Sequence, residues 1–226
     1  MPTVAVIALV LAMMLPGLSL AASDARPPLA ERLRDGASPT DQLRGHIQAL
    51  LAVLRDPTLK PAEHAERREA AVRKALLAGF DVSETARRVT SATPGLTPQE
   101  RVESTRLLTE TLSAVVSRFA VSLLGASLAG RHGEAGVTYL RESVDGNHGV
   151  VHAVVLGKGY IDIPVTASMI RRGARWLVYD LRVEEVSLVE NYRAQCEAIL
   201  RRSSYPGLLE RLRSKRDLIA ADLEFR

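Results

Sequence analysis

The chain has 226 residues, 46% of them apolar and 25% charged, with a formal net charge of +4 and a pI near 9.5. These are ordinary values for a globular protein of one or two domains with a sizeable core, and no Lys/Arg block with interleaved aromatics accompanies the basic pI, which argues against a nucleic-acid binder. The single cysteine, Cys196, excludes an internal disulfide, and the 4% aromatic content means that a large apolar pocket would be walled mainly by Leu, Val, Ile and Ala.

Residues 1–22 read as an export signal. Val4 to Leu15 are uninterruptedly apolar, Pro16-Gly17 breaks the run, and Ser19-Leu20-Ala21 offers a small-x-small cleavage pattern. The apolar core is shorter than the roughly 20 residues of a spanning helix. The mature chain, 23–226, is then exported.

A helical part is expected over about 38–125. Ser38-Pro39-Thr40-Asp41 supplies an N-cap, a first-turn proline and an acid, after which Leu43, Ile47, Leu50 and Leu54 line one side up to Asp56-Pro57. Pro61 opens a second helix carrying Val72, Leu76 and Leu77, and Asp81 with Glu84 caps a third. Thr97-Pro98-Gln99-Glu100 is a capping box opening the longest helix, to about Leu124. Its stripe of Leu108, Leu112, Val115, Val116, Phe119 and Leu123 is of the right length to back a sheet.

Sheet and closing helices are expected over about 136–216. Four strands are predicted, Gly136–Glu142, Gly149–Leu156, Tyr160–Ile170 and one through Trp176, with Asp145-Gly146-Asn147 as a hairpin signal. Pro164, lying in mid-strand, points to an edge or a bulge. The last strand alternates, with Leu177, Tyr179, Leu181 and Val183 on one side and Trp176, Val178, Asp180 and Arg182 on the other. From Leu188 the period turns helical, with Tyr192, Cys196 and Ile199 on the apolar stripe beside Val189. The class is α+β: N-terminal helices, a four-stranded antiparallel meander and closing helices.

No HExxH, GxSxG, P-loop, GxGxxG or CxxC is present. His152, Asp162 and Asp180 are polar residues on strands, and a general-base role for Asp180 or His152 has to be weighed against plain pairing; the histidines lack metal-ligand spacing, so no catalytic residue, metal or cofactor is expected.

Trp176, Val178, Tyr179, Asp180, Val183, Val186, Ser187, Leu188, Val189, Asn191, Tyr192, Arg193, Gln195, Leu208, Leu209 and Leu212 stand in the order W-x-V-Y-D-x-x-V-x-x-V-S-L-V-x-N-Y-R-x-Q followed by L-L-x-x-L. This resembles the C-terminal half of the MlaC or toluene-tolerance family. Phe80-Asp81 and Ala86-Arg87-Arg88-Val89 continue the resemblance, but Thr90-Ser91-Ala92-Thr93-Pro94-Gly95 stands where the family carries leucine-glycine-x-x-tryptophan. The resemblance implies one lipid-binding domain over 23–226 with an NTF2-like sheet half and an apolar cavity. It also implies a periplasmic carrier of phospholipid, or of another membrane lipid such as a hopanoid, in the upkeep of outer-membrane lipid asymmetry. The partners it implies are an inner-membrane ABC transporter complex, for which the carrier is the auxiliary component, and an outer-membrane lipoprotein. Hiding acyl tails has a clear drive, about 0.8 kcal/mol per methylene and on the order of 20 kcal/mol for a diacyl lipid. The expected wall is Leu112, Val115, Val116 and Phe119, then Ile163 and Val165, then Leu177, Tyr179 and Leu181, then Val186, Leu188, Val189 and Tyr192. Two other readings stay open: a small NTF2-like enzyme acting on an apolar metabolite, and an exported adaptor whose sheet face is solid core.

Overall fold

A computed structural model describes residues 37–59, 64–128, 136–156 and 162–224, with side-chain surroundings for all of these except 65, 117–128, 136, 156, 162 and 220–224. The expected export signal, and the expected helix start at Pro61, lie outside the described residues.

Helix α1 spans Pro39–Arg55, α2 Ala65–Ala78, α3 Val82–Ala92 and α4 Pro98–Leu128. The strands are β1 Gly136–Asp145, β2 His148–Leu156, β3 Asp162–Arg172, β4 Arg175–Val183 and the short β5 Val186–Ser187, followed by α5 Leu188–Arg202 and α6 Tyr205–Glu224. They form one antiparallel meander in the order β1-β2-β3-β4-β5. The sequence predicted four strands; β5 is a two-residue addition between the fourth strand and α5.

The caps explain where helices begin. The Ser38 hydroxyl accepts from the Asp41 N–H, Asp81 from Glu84 and Ser187 from Glu190, each satisfying a donor that the first turn leaves without a partner. At Thr97 the box closes both ways, the Thr97 N–H donating to the Glu100 carboxylate and the Glu100 N–H to the Thr97 hydroxyl. Tight turns join the strands through Gly146 (φ 56°) and Gly173 (φ 62°), each the first central residue of a two-residue hairpin loop, a position that favours glycine.

Pro164 pairs with Val154 of β2. Its carbonyl accepts from Glu184, so its nitrogen points to the same side, just beyond the last β3–β4 pair, Val165 with Val183, where β3 has a local edge and no ladder bond is lost. The alternation expected of β4 needs correction. Ser168 pairs with Asp180 but Met169 with Val178, so Tyr179 is an extra residue and the strand bulges. The bulge turns Trp176, Val178, Leu181 and Val183 to one face, where all are buried, and leaves Leu177 and Tyr179 on the other. A second bulge at Leu140 in β1 puts that side chain out to solvent.

The core has three parts. The inner face of the sheet contributes Val151, Val155, Ile163, Val165, Ala167 and Met169, with Trp176, Val178, Leu181 and Val183 from β4. A helical core joins Val82 and Val89 of α3, Leu107, Leu108 and Leu112 of α4, Tyr192 and Cys196 of α5, and Leu208 and Leu212 of α6. The third is the α1–α2 hairpin, where Leu51, Leu54 and Val72 meet. The expectation that α4 backs the sheet is therefore not met over Leu107–Leu112, because α3, α5 and α6 cover that stripe while α1 and α2 lie over the sheet's inner face.

Candidate apolar pocket

Between the α1–α2 hairpin and the sheet lies a half-open pocket with a cavity volume of about 100 Å³. Leu43, His46, Ile47 and Leu50 of α1 and Ala75 and Leu76 of α2 form its helical side. The floor is Val137 and Tyr139 of β1, Val151 and Ala153 of β2, Val165 and Ala167 of β3, and Val178 and Leu181 of β4. Gly79 and Phe80 complete the wall. Nearly every exposed atom inside is carbon, so the space favours an apolar guest and offers little to hold water.

Sequence chemistry sets this geometry. The spacing of Leu43, Ile47 and Leu50 aims one stripe of α1 at the sheet. Polar ties at the N-terminal end fix α1 there: the Trp176 N–H donates to the Gln42 side-chain oxygen, Gln42 Nε2 donates to the Ala174 carbonyl, and the Thr40 N–H donates to Glu142. Gly79 to Asp81 hydrogen-bonds along the free edge of β4, through Asp81 N–H to the Val178 carbonyl and Val178 N–H to the Gly79 carbonyl. That graft places Phe80 at the pocket and Asp81 at the start of α3.

Two wall residues carry polar atoms. His46 Nε2 lies 3.4 Å from the Trp176 carbonyl, and burial lowers its pKa below the usual imidazole value. Burial also pushes the Tyr139 phenol up to about 12, opposed by Arg44, whose guanidinium lies 4.7 Å from the ring. Tyr139 stays neutral at physiological pH.

Of the residues the sequence put forward, Val165 and Leu181 reach this wall, and Ile163 belongs to the same sheet core. Leu177 and Tyr179 fall on the opposite face through the β4 bulge; Tyr179 is covered there by Arg88, 3.8 Å from its ring. Leu112, Leu188, Val189 and Tyr192 pack in the helical core, Val115 and Val116 are half-buried on α4, and Val186 is half-buried in β5. The side chain of Phe119 lies outside the described residues. Ala167, one of the apolar odd positions of the third strand expected to line a cavity, is also on the wall. Sequence reasoning missed the α1 stripe as a wall, together with Tyr139, Ala153 and Val178. The signal was present: the spacing of Trp176, Val178, Leu181 and Val183 breaks strict alternation in the way a bulge demands.

Asp180 and His152 are held in structural hydrogen bonds. The Asp180 carboxylate accepts from the Ser187 hydroxyl at 2.7 Å and from the Val189 N–H at 3.0 Å, which fixes the corner from β4 through β5 into α5. His152 Nδ1 lies 3.1 Å from the Thr166 hydroxyl. Asp162 begins β3, and its side chain is not described. Among the described residues no three His, Cys, Asp or Glu side chains gather as metal ligands, and no helix is long and apolar enough to cross a membrane.

On the far side of the Gly79–Asp81 graft sits a buried carboxylate, Glu84, 2% exposed. Rather than reaching back to cap α3, it accepts from Arg87, Arg88 and Arg172, while Arg172 also donates to Asp81 at 3.0 Å. The Arg87 hydrogen bonds, with help from Arg88 and against desolvation, hold its pKa down to about 2.

An α+β fold in which a helical hairpin and one face of an antiparallel meander flank an apolar pocket is that of a protein suited to binding apolar molecules. The family model described as MlaC protein matches residues 44–214, and the chain belongs to the MlaC family. Seven solved chains match the structure. Among them, the phospholipid-binding protein from Ralstonia solanacearum, solved in complex with a phospholipid, aligns with a TM-score of 0.59 at 18% identity, covering 81% of this chain and 99% of that one. No match was found among curated proteins.

Proposed function

We propose that the protein is a non-enzymatic phospholipid carrier of the periplasm that holds acyl tails in the pocket between the α1–α2 hairpin and the sheet. The observation that carries this reading is the pocket: an almost wholly carbon-lined space in a member of the MlaC family. The Ralstonia solanacearum protein, of the same fold, was solved with a phospholipid bound. Asp180 and His152, the residues a proton-transfer enzyme would use, are engaged in framework hydrogen bonds, which favours binding over chemistry.

The dimensions add a condition. An engineered cavity of about 150 Å³ is what holds a benzene molecule, whereas the cavity here is about 100 Å³. Acyl chains therefore fill it only as α1 and α2 spread from the sheet. The chain's export, the single domain over 23–226 and service to an inner-membrane ABC transporter and an outer-membrane lipoprotein belong to the same proposal. A transfer assay tests it: the protein carries labelled phospholipid from donor to acceptor vesicles held apart by a dialysis membrane. Transfer no faster than with an unrelated protein overturns the shuttle.

A further inference from the structure

We propose that the arginine cluster built around Glu84 is a docking surface for the anionic face of a phospholipid bilayer. This goes beyond the ligand in the pocket: it concerns how the protein meets a membrane.

The cluster is assembled by burial. Glu84, nearly inaccessible, gathers guanidinium groups from two elements distant in sequence, Arg87 and Arg88 of α3 and Arg172 at the end of β3. Holding them on one buried carboxylate fixes their planes while leaving much of each group in water: the side chains of Arg87 and Arg172 are 57% and 51% exposed. Each spends two of its N–H-bearing nitrogens on the carboxylates of Glu84 and Asp81. Among the described residues, the third nitrogen of each makes no hydrogen bond. Arg171 and Arg175 flank the same hairpin, and among the described residues their side chains bond only the carbonyls of Gly173 and Ala78. Three arginines, Arg87, Arg88 and Arg172, meet the two carboxylates Glu84 and Asp81, so the group keeps a positive excess.

That chemistry selects phosphate diesters. A planar guanidinium with spare N–H groups meets phosphate oxygens in a forked geometry, and a held fork loses less freedom on binding than a loose side chain. A protein partner would call for apolar anchors inside the patch. The exposed large apolar residues among those described, Val102, Leu140, Val144 and Leu218, lie on α4, β1 and α6, none on α3 or the β3–β4 hairpin. Position supports the assignment too: Asp81 follows the pocket residues Gly79 and Phe80, and Arg175 holds the carbonyl of Ala78, so a bilayer docked here lies beside the pocket's α2–α3 side.

Co-sedimentation of the whole protein with vesicles tests the assignment. The expected result is binding to phosphatidylcholine vesicles containing phosphatidylglycerol, little binding to phosphatidylcholine alone, and release by high salt. Arg87→Ala and Arg172→Ala each weaken binding about fivefold. Arg171→Ala, which touches neither carboxylate, weakens it without disturbing Glu84 and so serves if the other variants unfold. Arg201→Ala, on an α5 side chain 68% exposed, leaves it within twofold. Absence of binding to anionic vesicles overturns the proposal, as does equal loss in Arg201→Ala or a cluster that engages only an acidic protein. Native mass spectrometry of the same preparation reports separately on the pocket, so failure of docking and failure of the carrier reading are told apart.

Discussion

Ala167→Phe tests the location of the pocket directly. Ala167 lies on its floor in the middle of β3 and is almost fully buried, so the new ring points into the space under α1. The cavity is about 100 Å³, and a phenyl ring is of the size that about 150 Å³ accommodates, so the ring fills it. Burying the ring contributes about 2 kcal/mol, against about 1–3 kcal/mol for pressing on α1, and the two nearly cancel. The expected variant melts within a few degrees of wild type and retains less than a tenth of its lipid when extracted and quantified by mass spectrometry. Leu112→Ala serves as the contrast: it opens a hole in the helical core, costs about 2–5 kcal/mol and leaves lipid occupancy unchanged. Full lipid retention in Ala167→Phe, or loss in a still-folded Leu112→Ala, refutes the assignment of the pocket to the α1 side of the sheet.

Other expectations concern the framework. Glu84→Gln leaves three guanidinium groups without their shared charge. Breaking a buried pair costs about 3–5 kcal/mol, and because two of these arginines are half in water the expected loss in urea unfolding is about 2 kcal/mol. Since the native carboxyl titrates at about 2, below its ordinary 4.5, its contribution is complete above about pH 4.5 and fades toward pH 2; the gap between wild type and variant therefore narrows on acidification, and a constant gap would contradict the charge argument. Glu184 and Glu185 hold φ of 45° and 67° in the β4–β5 turn, a costly conformation for residues with a Cβ. The change to Asn-Gly should raise the melting temperature by about 2 °C or more, and a fall would show that the acidic pair contributes something beyond turn geometry. Burial pushes the Cys196 thiol up to about 11, so in native protein at pH 8 it should react with a thiol reagent at least about a hundredfold more slowly than in urea; equal rates would place it at the surface.

Much of the fold is legible in the chain because local chemistry writes it plainly. Ser38, Asp81 and Thr97 mark helix starts with side-chain oxygens that the structure shows bonded to the first-turn amides. The hairpin turns are marked by Gly146 and Gly173, and the buried face of β3 by its apolar odd positions. The site was harder to read for a physical reason. Strict alternation carries Leu177 and Tyr179 to the same face as Leu181, and only the extra residue at Tyr179 reverses this. A bulge of one residue is invisible to a periodicity of two unless the break itself is noticed. The role of α4 was misjudged for a different reason: an apolar stripe states that something covers it but not what, and α5 and α6 compete successfully with the sheet. The cluster at Glu84 depends on Arg172, 88 positions away, which no local pattern announces.

Native mass spectrometry of protein purified from a bacterial host tests the central claim most directly. The account predicts a mass increment of one phospholipid per chain that disappears in Ala167→Phe. Wild-type protein that is wholly free of lipid, and that gains none when mixed with phospholipid vesicles, would contradict it.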